Sequence, residues 1–250
     1  CIASAQDTAP LICVFDGTEP EGLTADLVFR LETFGTLIND LVARGISRAC
    51  LCGSIARPAF DPSKLDAATL PLVPQFQQAL ASGDDGALRV VIGILNDAGI
   101  DVVAAQDIAP GMMAAPGVLS RKQPDDQMQR DAERAAEILR VTAPLDMGQA
   151  CVTARGQAYG IETIGGTDHL LATLPERVRS DAAILFKGPK QGQSRLVDMP
   201  TIGPDTIRAA DRAGLAGIVI AAGEVILLDP DHCAALADEY GLVLWSRAAT

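Results

Sequence analysis

Three observations predict an α/β protein of two domains. Strand-like apolar runs alternate with amphipathic helix-like runs, a pattern typical of parallel sheets with helices on their faces. The segment 109–124 contains three prolines and two glycines without periodicity, which indicates a linker or an exposed connection. Apolar residues make up 48% of the 250 residues, enough for two hydrophobic cores. We therefore predict an N-terminal Rossmann-like domain with a parallel sheet (1–117) and a C-terminal α/β domain with a mixed sheet (125–250).

In the N-terminal domain, predicted strands alternate with predicted helices. The strands are PLICVF (10–15), RACLCG (48–53) and IDVVAA (100–105), and the helices cover 31–44 and 85–98.

The C-terminal domain begins with a polar helix over 125–140, which we expect on its surface. Two strands joined by Arg155 and Gly156 form a predicted hairpin, because this short turn separates two β-type runs. Further strands are predicted at 182–186, 216–222, 225–229 and 242–246, with short helices between them.

Charge and hydropathy exclude two classes of protein. The formal net charge of −12 argues against a nucleic-acid-binding surface, which needs an excess of lysine and arginine. No apolar run approaches the roughly 20 residues that span a bilayer, and nothing resembles a signal peptide. We expect a cytoplasmic protein.

Cysteines and histidines limit the metals that the chain could bind. Cys50 and Cys52 would lie on one face of a strand, which suits a metal, although we expect buried small hydrophobes instead. Two histidines, His169 and His232, are too few for a multi-histidine zinc centre. A metal would therefore be held by carboxylates, which favours Mg²⁺ or Mn²⁺.

A polar segment, KGPKQGQSRLVDMPTIGPDT (187–206), joins a predicted strand to a predicted helix. Ligands of open α/β sheets bind at such places, and the free amides around Asp205 and Thr206 predict an anion site at the helix start. Lys187, Lys190 and Arg195 are donors suited to a phosphate or diphosphate. The alternative is a solvated basic loop in which Asp205 caps the helix.

Asp198 is a candidate metal ligand within this segment. Pro200 restricts the preceding residue to an extended conformation, so the carboxylate is presented from a stiff backbone. An ionised Asp198 could hold a divalent metal or orient a water molecule. It could instead cap a turn or pair with Arg195.

A second candidate cluster is ETIGGTDHLL (162–171). Its glycines end a strand, and Asp168 could be a ligand in an anion- or metal-binding turn. The alternative is that Thr167 or Asp168 only caps the following helix. In the N-terminal domain, Arg57 could reach a ligand or form a surface ion pair.

Several stretches resemble a known family. IGGTDHLL, DMGQACV and FKGPKQGQSRLVDMPTIGPDTIRAADRAGLAGIVIAAGEVILLD, together with EPEGL, RLETFGTL and GDDGALR, are similar to the LpxI-type UDP-2,3-diacylglucosamine pyrophosphatases of lipid A biosynthesis. The resemblance implies a metal-dependent hydrolase that converts UDP-2,3-diacylglucosamine to UMP and 2,3-diacylglucosamine 1-phosphate (lipid X). It implies a peripheral protein on the cytoplasmic face of the inner membrane, and it allows a homodimer.

The resemblance also implies roles for individual residues. Water would attack a phosphorus atom held by cationic side chains, with Mg²⁺ or Mn²⁺ on Asp168 and Asp198. The implied catalytic residues are Asp198, Lys187 and Asp168, and the implied substrate-binding residues are Gly166, Thr167, Lys190, Gln193, Arg195, Thr201 and Arg57.

Two departures from the family pattern keep other functions open. The family has lysine, proline, glycine, glutamine and aspartate where this chain has KQGQS (190–194). Its first strand and glycine-rich loop, of the type GGxxLP, are expected before Cys1. The alternatives are a hydrolase of another nucleotide diphosphate compound, or a catalytically weakened protein that binds a nucleotide sugar or a lipid.

Overall fold

A computed structural model of the chain describes residues 9–18, 20, 22–53, 60–81, 84–145, 147–190 and 195–248. The chain divides into two compact units, Cys1–Ala109 with Arg195–Val197, and Pro110–Ser194 with Asp198–Thr250. The predicted boundaries differ from this division. The segment 110–124 belongs to the C-terminal unit because it contains a strand of that unit's sheet, and a three-residue piece of the later polar segment belongs to the N-terminal unit.

The N-terminal unit has parallel strands, as predicted. Strands β1 and β2 form one parallel pair, and β3 and β4 form another. The strands are β1 (Cys13–Phe15), β2 (Leu27–Phe29), β3 (Arg48–Ala49) and β4 (Asp101–Val102), and the helices are α1 (Phe34–Ala43), α2 (Val73–Ala81), α3 (Asp84–Asp97) and α4 (Ala105–Ile108).

The core of this unit forms around one face of α1. Its buried residues recur at helical spacing (Phe34, Leu37, Ile38 and Leu41), so one stripe of the helix faces inward. Leu196 and Val197 from the polar segment pack against the same core. Burial of this apolar pair explains why Arg195–Val197 belongs to the N-terminal unit.

The C-terminal unit contains a six-stranded mixed sheet in the order β5-β12-β10-β8-β6-β7, which confirms the predicted fold class. Strands β12, β10 and β8 are parallel, whereas β5, β6 and β7 join through antiparallel pairs. Its strands are β5 (Gly117–Val118), β6 (Ala150–Ala154), β7 (Gln157–Ile161), β8 (Ile184–Lys187), β10 (Gly217–Ala221) and β12 (Val243–Arg247); β9 (Thr201–Ile202) and β11 (Ile226–Leu227) form a separate parallel pair.

Helices cover both faces of the large sheet. One face packs against α5 (Asp126–Thr142), which lies on the sheet through an apolar stripe. The other face packs against α6 (Gly166–Ala172), α8 (Pro204–Ala213) and α9 (Pro230–Tyr240), and α7 (Arg177–Ser180) precedes β8. No helix in the described ranges is long and apolar enough to cross a membrane.

A buried carboxylate on α5 fixes the hairpin turn. Asp131 is 1% exposed, and its side chain accepts hydrogen bonds from the amides of Arg155 (3.0 Å) and Gly156 (2.6 Å). Both turn residues have positive φ, at 51° and 77°, as a type I′ turn requires. The predicted hairpin is confirmed, and the predicted surface helix packs against the C-terminal sheet and also anchors the hairpin turn.

We predict that Asp131→Ala lowers the free energy of unfolding of the C-terminal unit by about 1–3 kcal/mol, because two turn amides lose their acceptor. The single tryptophan, Trp245, lies in β12, so its fluorescence in a urea titration measures this unit. Glu133→Ala on the same helix is the control, since its exposed carboxylate pairs only loosely with Arg247 at 3.7 Å. Equal stabilities of the two variants would contradict the anchoring role.

Candidate functional site

The predicted site residue Lys187 ends the central strand β8 and is only 8% exposed. Side chains alternate across a strand. Ile184 and Phe186 pack with the core under α5, whereas Leu185 packs with the core under α6 and α8. Lys187 therefore projects toward the face that α6 covers.

Thr167 on α6 is the partner of this buried lysine. The Lys187 Nζ atom donates a hydrogen bond to Thr167 Oγ1 over 2.8 Å. The helix has Gly165 as its N-cap and no side-chain capping bond, so neither Thr167 nor Asp168 caps it. The alternative interpretation of the Thr-Asp pair as a helix cap is wrong.

Two carboxylates act on the buried ammonium. Burial lowers the pKa of Lys187, and the negative charges of Glu162 and Asp168 oppose that shift. Glu162 lies just after β7 and accepts a hydrogen bond from the Gln149 amide at 3.2 Å. Asp168 is exposed and Glu162 half-buried. The structure thus combines a desolvated cation with two acids beside it.

Sequence reasoning gave no role to Glu162, although it opens the ETIGGTDHLL cluster. A signal for its packing lies in Gly148, within the DMGQACV stretch. A Cβ atom at position 148 would lie 2.5 Å from the Glu162 Cβ, too close for any other residue without a backbone shift. Gly148 also donates its amide to the Glu162 carbonyl at 2.8 Å, so the two segments are held side by side.

Asp198 lies shortly before β9, and Thr201 is the first residue of that strand. The pairing of β9 with β11 fixes this segment, with the Ile226 amide donating to the Pro200 carbonyl at 2.8 Å. Thr201 Oγ1 donates to the Met199 carbonyl at 3.1 Å, and Asp198 is half-buried. The stiff backbone predicted around Asp198 is therefore anchored by a sheet pair.

Helix α8 begins at Pro204, at the predicted helix start. Its N-cap is Gly203, and Asp205 forms an ion pair with Arg208 at 2.9 Å instead of capping the helix. The Thr206 amide donates to the Gly203 carbonyl at 3.0 Å. Because that amide is already engaged, the predicted anion site around Asp205 and Thr206 loses one of its two expected donors.

The remaining predicted residues have separate positions. Gly166, at the start of α6, has a φ of +75° that favours glycine. Lys190 is half-buried just after β8. Arg195 belongs to the N-terminal unit, where its carbonyl accepts a hydrogen bond from Gln106 Nε2 at 2.7 Å. Arg57, Gln193 and the departure at Ser194 lie outside the described residues.

The predicted metal ligands Asp168 and Asp198 have the oxygen chemistry that a hard metal prefers. Within the described ranges, no three His, Cys, Asp or Glu side chains converge to hold an ion. Mg²⁺, however, is commonly bound by one or two carboxylates together with substrate phosphate oxygens and water. The carboxylates of Asp168 and Asp198 are of this chemical type, so a metal shared with a phosphorylated ligand fits the residues present.

Fold and site define a two-domain α/β protein whose C-terminal unit presents a buried lysine and carboxylates, groups suited to a phosphorylated ligand. Protein-family models match both halves, the LpxI N-terminal domain over residues 1–112 and the LpxI C-terminal domain over 115–245. The chain belongs to the LpxI family. A relative from Caulobacter vibrioides, UDP-2,3-diacylglucosamine pyrophosphatase LpxI, is 36% identical over 216 residues, which cover 84% of this chain and 77% of the relative.

We predict that Thr167→Val lowers the free energy of unfolding by about 1–3 kcal/mol, because the buried Lys187 ammonium loses its hydrogen-bond acceptor. Adding Lys187→Met should recover part of this loss, since no buried charge then remains. Urea unfolding followed by Trp245 fluorescence measures Thr167→Val, Lys187→Met and the double variant.

Thr163→Val is the matched control for the substitution of Thr167. It makes the same chemical change at an exposed side chain just before α6. Additive effects of Thr167→Val and Lys187→Met would contradict the coupling between the two residues.

Proposed function

We propose that this protein hydrolyses the diphosphate of UDP-2,3-diacylglucosamine to UMP and 2,3-diacylglucosamine 1-phosphate. Membership of the LpxI family along both domains carries the proposal. The named activity of the Caulobacter vibrioides relative, 36% identical to this chain, supports it. So does the position of Lys187, a predicted catalytic residue, beside Thr167 and two carboxylates.

In this proposal Lys187 binds the diphosphate. Its ammonium has three hydrogen-bond donors, and the bond to Thr167 uses one of them. A cation that is 8% exposed interacts more strongly with a phosphate oxygen than a fully hydrated one, because less water screens its charge. Holding the lysine against Thr167 also fixes its direction before substrate arrives. Lys190 and Arg195 supply further positive charge, and Thr201, Gly166, Gln193 and Arg57 complete the proposed substrate contacts.

Asp198 positions the attacking water. The water adds to one phosphorus atom, the bond from that phosphorus to the bridging oxygen breaks, and the bridging oxygen leaves with the other phosphate. A carboxylate on an anchored backbone suits this task, because the reaction depends on keeping the nucleophile in line with the leaving oxygen.

We also propose a divalent cation, Mg²⁺ or Mn²⁺, at this site. Asp168 and Asp198 would hold it together with oxygens of the substrate diphosphate. When bound, the ion would neutralise charge on the diphosphate and so stabilise the charge that develops on the leaving oxygen.

The acyl chains of the proposed substrate place it in a membrane. We therefore propose that the protein contacts the cytoplasmic face of the inner membrane peripherally to reach it. We further propose that the protein forms a homodimer. Analytical ultracentrifugation of the chain tests this by measuring its molecular mass in solution.

We predict that the purified protein releases UMP from UDP-2,3-diacylglucosamine, and that excess EDTA lowers the rate at least about 10-fold because the diphosphate charge is no longer neutralised. Mg²⁺ or Mn²⁺ in excess of EDTA should restore it. UMP is measured by chromatography. Release from UDP-glucose at the same rate would indicate a general nucleotide diphosphate hydrolase. No UMP release, with acylated lipid recovered from the purified protein, would indicate the weakened binding protein.

We predict that Asp198→Asn lowers kcat by at least about 100-fold while substrate still binds, because the amide keeps the shape and loses the charge. Asp205→Asn is the matched control. It removes the same charge from a nearby, fully exposed side chain that pairs with Arg208. Equal kcat values for the two variants would leave Asp198 without a catalytic role.

A further inference from the structure

Two cysteines, Cys50 and Cys52, lie together just after β3 in the N-terminal unit. The Val103 amide donates to the Ala49 carbonyl at 2.8 Å, at the end of β3. Leu51 packs against the core, whereas the Cys50 and Cys52 side chains on either side of it contact each other. The Cys50 and Cys52 sulfur atoms are 3.4 Å apart.

The two thiols are accessible to reagents. Cys50 is half-buried and Cys52 exposed, so the expectation that both are buried small hydrophobes is wrong. Cys151 and Cys233, in contrast, are buried in the C-terminal unit, where burial raises the pKa of each thiol, to about 12 and about 11. Among the described cysteines, Cys50 and Cys52 form a pair that combines proximity with exposure.

The electrostatics distinguish the roles of the two sulfurs. The hydrogen bond between the two sulfurs lowers the pKa of Cys52 to about 7 and raises the pKa of Cys50. Burial and the negative charge of Asp107 on α4 also disfavour a Cys50 thiolate. Cys52, the more exposed of the two, is therefore the sulfur that ionises more readily, with Cys50 beside it.

We infer that Cys50 and Cys52 form a thiol–disulfide exchange site, in which the pair is reversibly oxidised to an intrachain disulfide by low-molecular-weight disulfides. The sulfurs need to approach by little more than 1 Å from their 3.4 Å separation to reach a disulfide bond length of about 2.0 Å. Nucleophile, resolving thiol and solvent access are all present in one three-residue segment.

The exchange balances without a further reactant. The Cys52 thiolate attacks one sulfur of the disulfide RSSR, so a Cys52–SR bond forms, the RS–SR bond breaks and one RS⁻ leaves. Cys50 loses its proton to that thiolate and attacks the Cys52 sulfur, which expels the second RS⁻. The second thiolate takes a proton from water. Two protein thiols lose two electrons, and RSSR is reduced to two RSH.

Incubation of the reduced chain with excess glutathione disulfide tests this inference. Remaining thiols are then alkylated with iodoacetamide. Trypsin cleaves after Arg48 and Lys64 but not at Arg57, which precedes Pro58, so peptide 49–64 contains Cys50 and Cys52 and no other cysteine. We predict that this peptide is recovered without an alkyl group and two hydrogens lighter than its reduced form. Dithiothreitol should return it to two alkylated cysteines.

Three results would overturn the inference. They are a peptide with both cysteines alkylated, a peptide that keeps one or two glutathione adducts, and a disulfide that links this peptide to another. Cys13→Ser is the matched control, because Cys13 is a half-buried cysteine of the same unit and should not affect the product.

The alkylation rate of the reduced protein separates a reactive pair from two ordinary thiols. At pH 7, a pKa near 7 gives about 50 times more thiolate than a pKa of 9, while intrinsic nucleophilicity falls about 8-fold. Cys52 should therefore react at least about fivefold faster than Cys13, and its rate should rise between pH 6 and 8. Cys50→Ala removes the hydrogen-bond partner of Cys52 and should slow its alkylation by a similar factor. Equal rates in both proteins would contradict the pairing.

Discussion

The C-terminal unit has to accommodate a lysine ammonium at the end of a central, buried strand. Removing a charge from water costs several kcal/mol unless polar partners replace the lost hydration. The Lys187 ammonium donates a hydrogen bond to Thr167, and the negative charges of Glu162 and Asp168 stabilise its charge. Much of the local structure follows from this requirement, because α6 and the end of β7 must both approach the last residue of β8.

The topology of the sheet makes this approach short. Strand β8 lies between parallel β10 and antiparallel β6, and Lys187 is paired with Ala150, the first residue of β6. Because β7 runs antiparallel to β6, the end of β7 lies beside the start of β6. Glu162 is the residue directly after β7. Gly148, just before β6, has no Cβ to prevent this close packing. The hairpin of β6 and β7 therefore places the Glu162 carboxylate near Lys187 without a long loop.

Hydrophobic periodicity was sufficient to predict the main strands of the large sheet, including the hairpin of β6 and β7. These elements are specified locally, by apolar runs, turn residues and length. The roles of Asp131 and Glu162 depend instead on which residue of a distant strand lies opposite, which no local pattern encodes. The exposure of Cys52 was mispredicted for a related reason. An apolar run such as RACLCG has one face that packs, and Leu51, not the cysteines, occupies it.

The polar segment 187–206 gathers unlike groups because its parts serve different structural tasks. Lys187 is the buried end of a strand, and Asp205 pairs with Arg208 on the first turn of α8. Leu196 and Val197 enter the core of the N-terminal unit, while the Arg195 carbonyl beside them accepts a hydrogen bond from Gln106. From Asp198 the chain belongs again to the C-terminal unit, where β11 pairs with the following strand β9. A single segment can thus anchor a short apolar pair in one unit and leave charged groups in the other, and this need for both burial and charge accounts for its mixed composition.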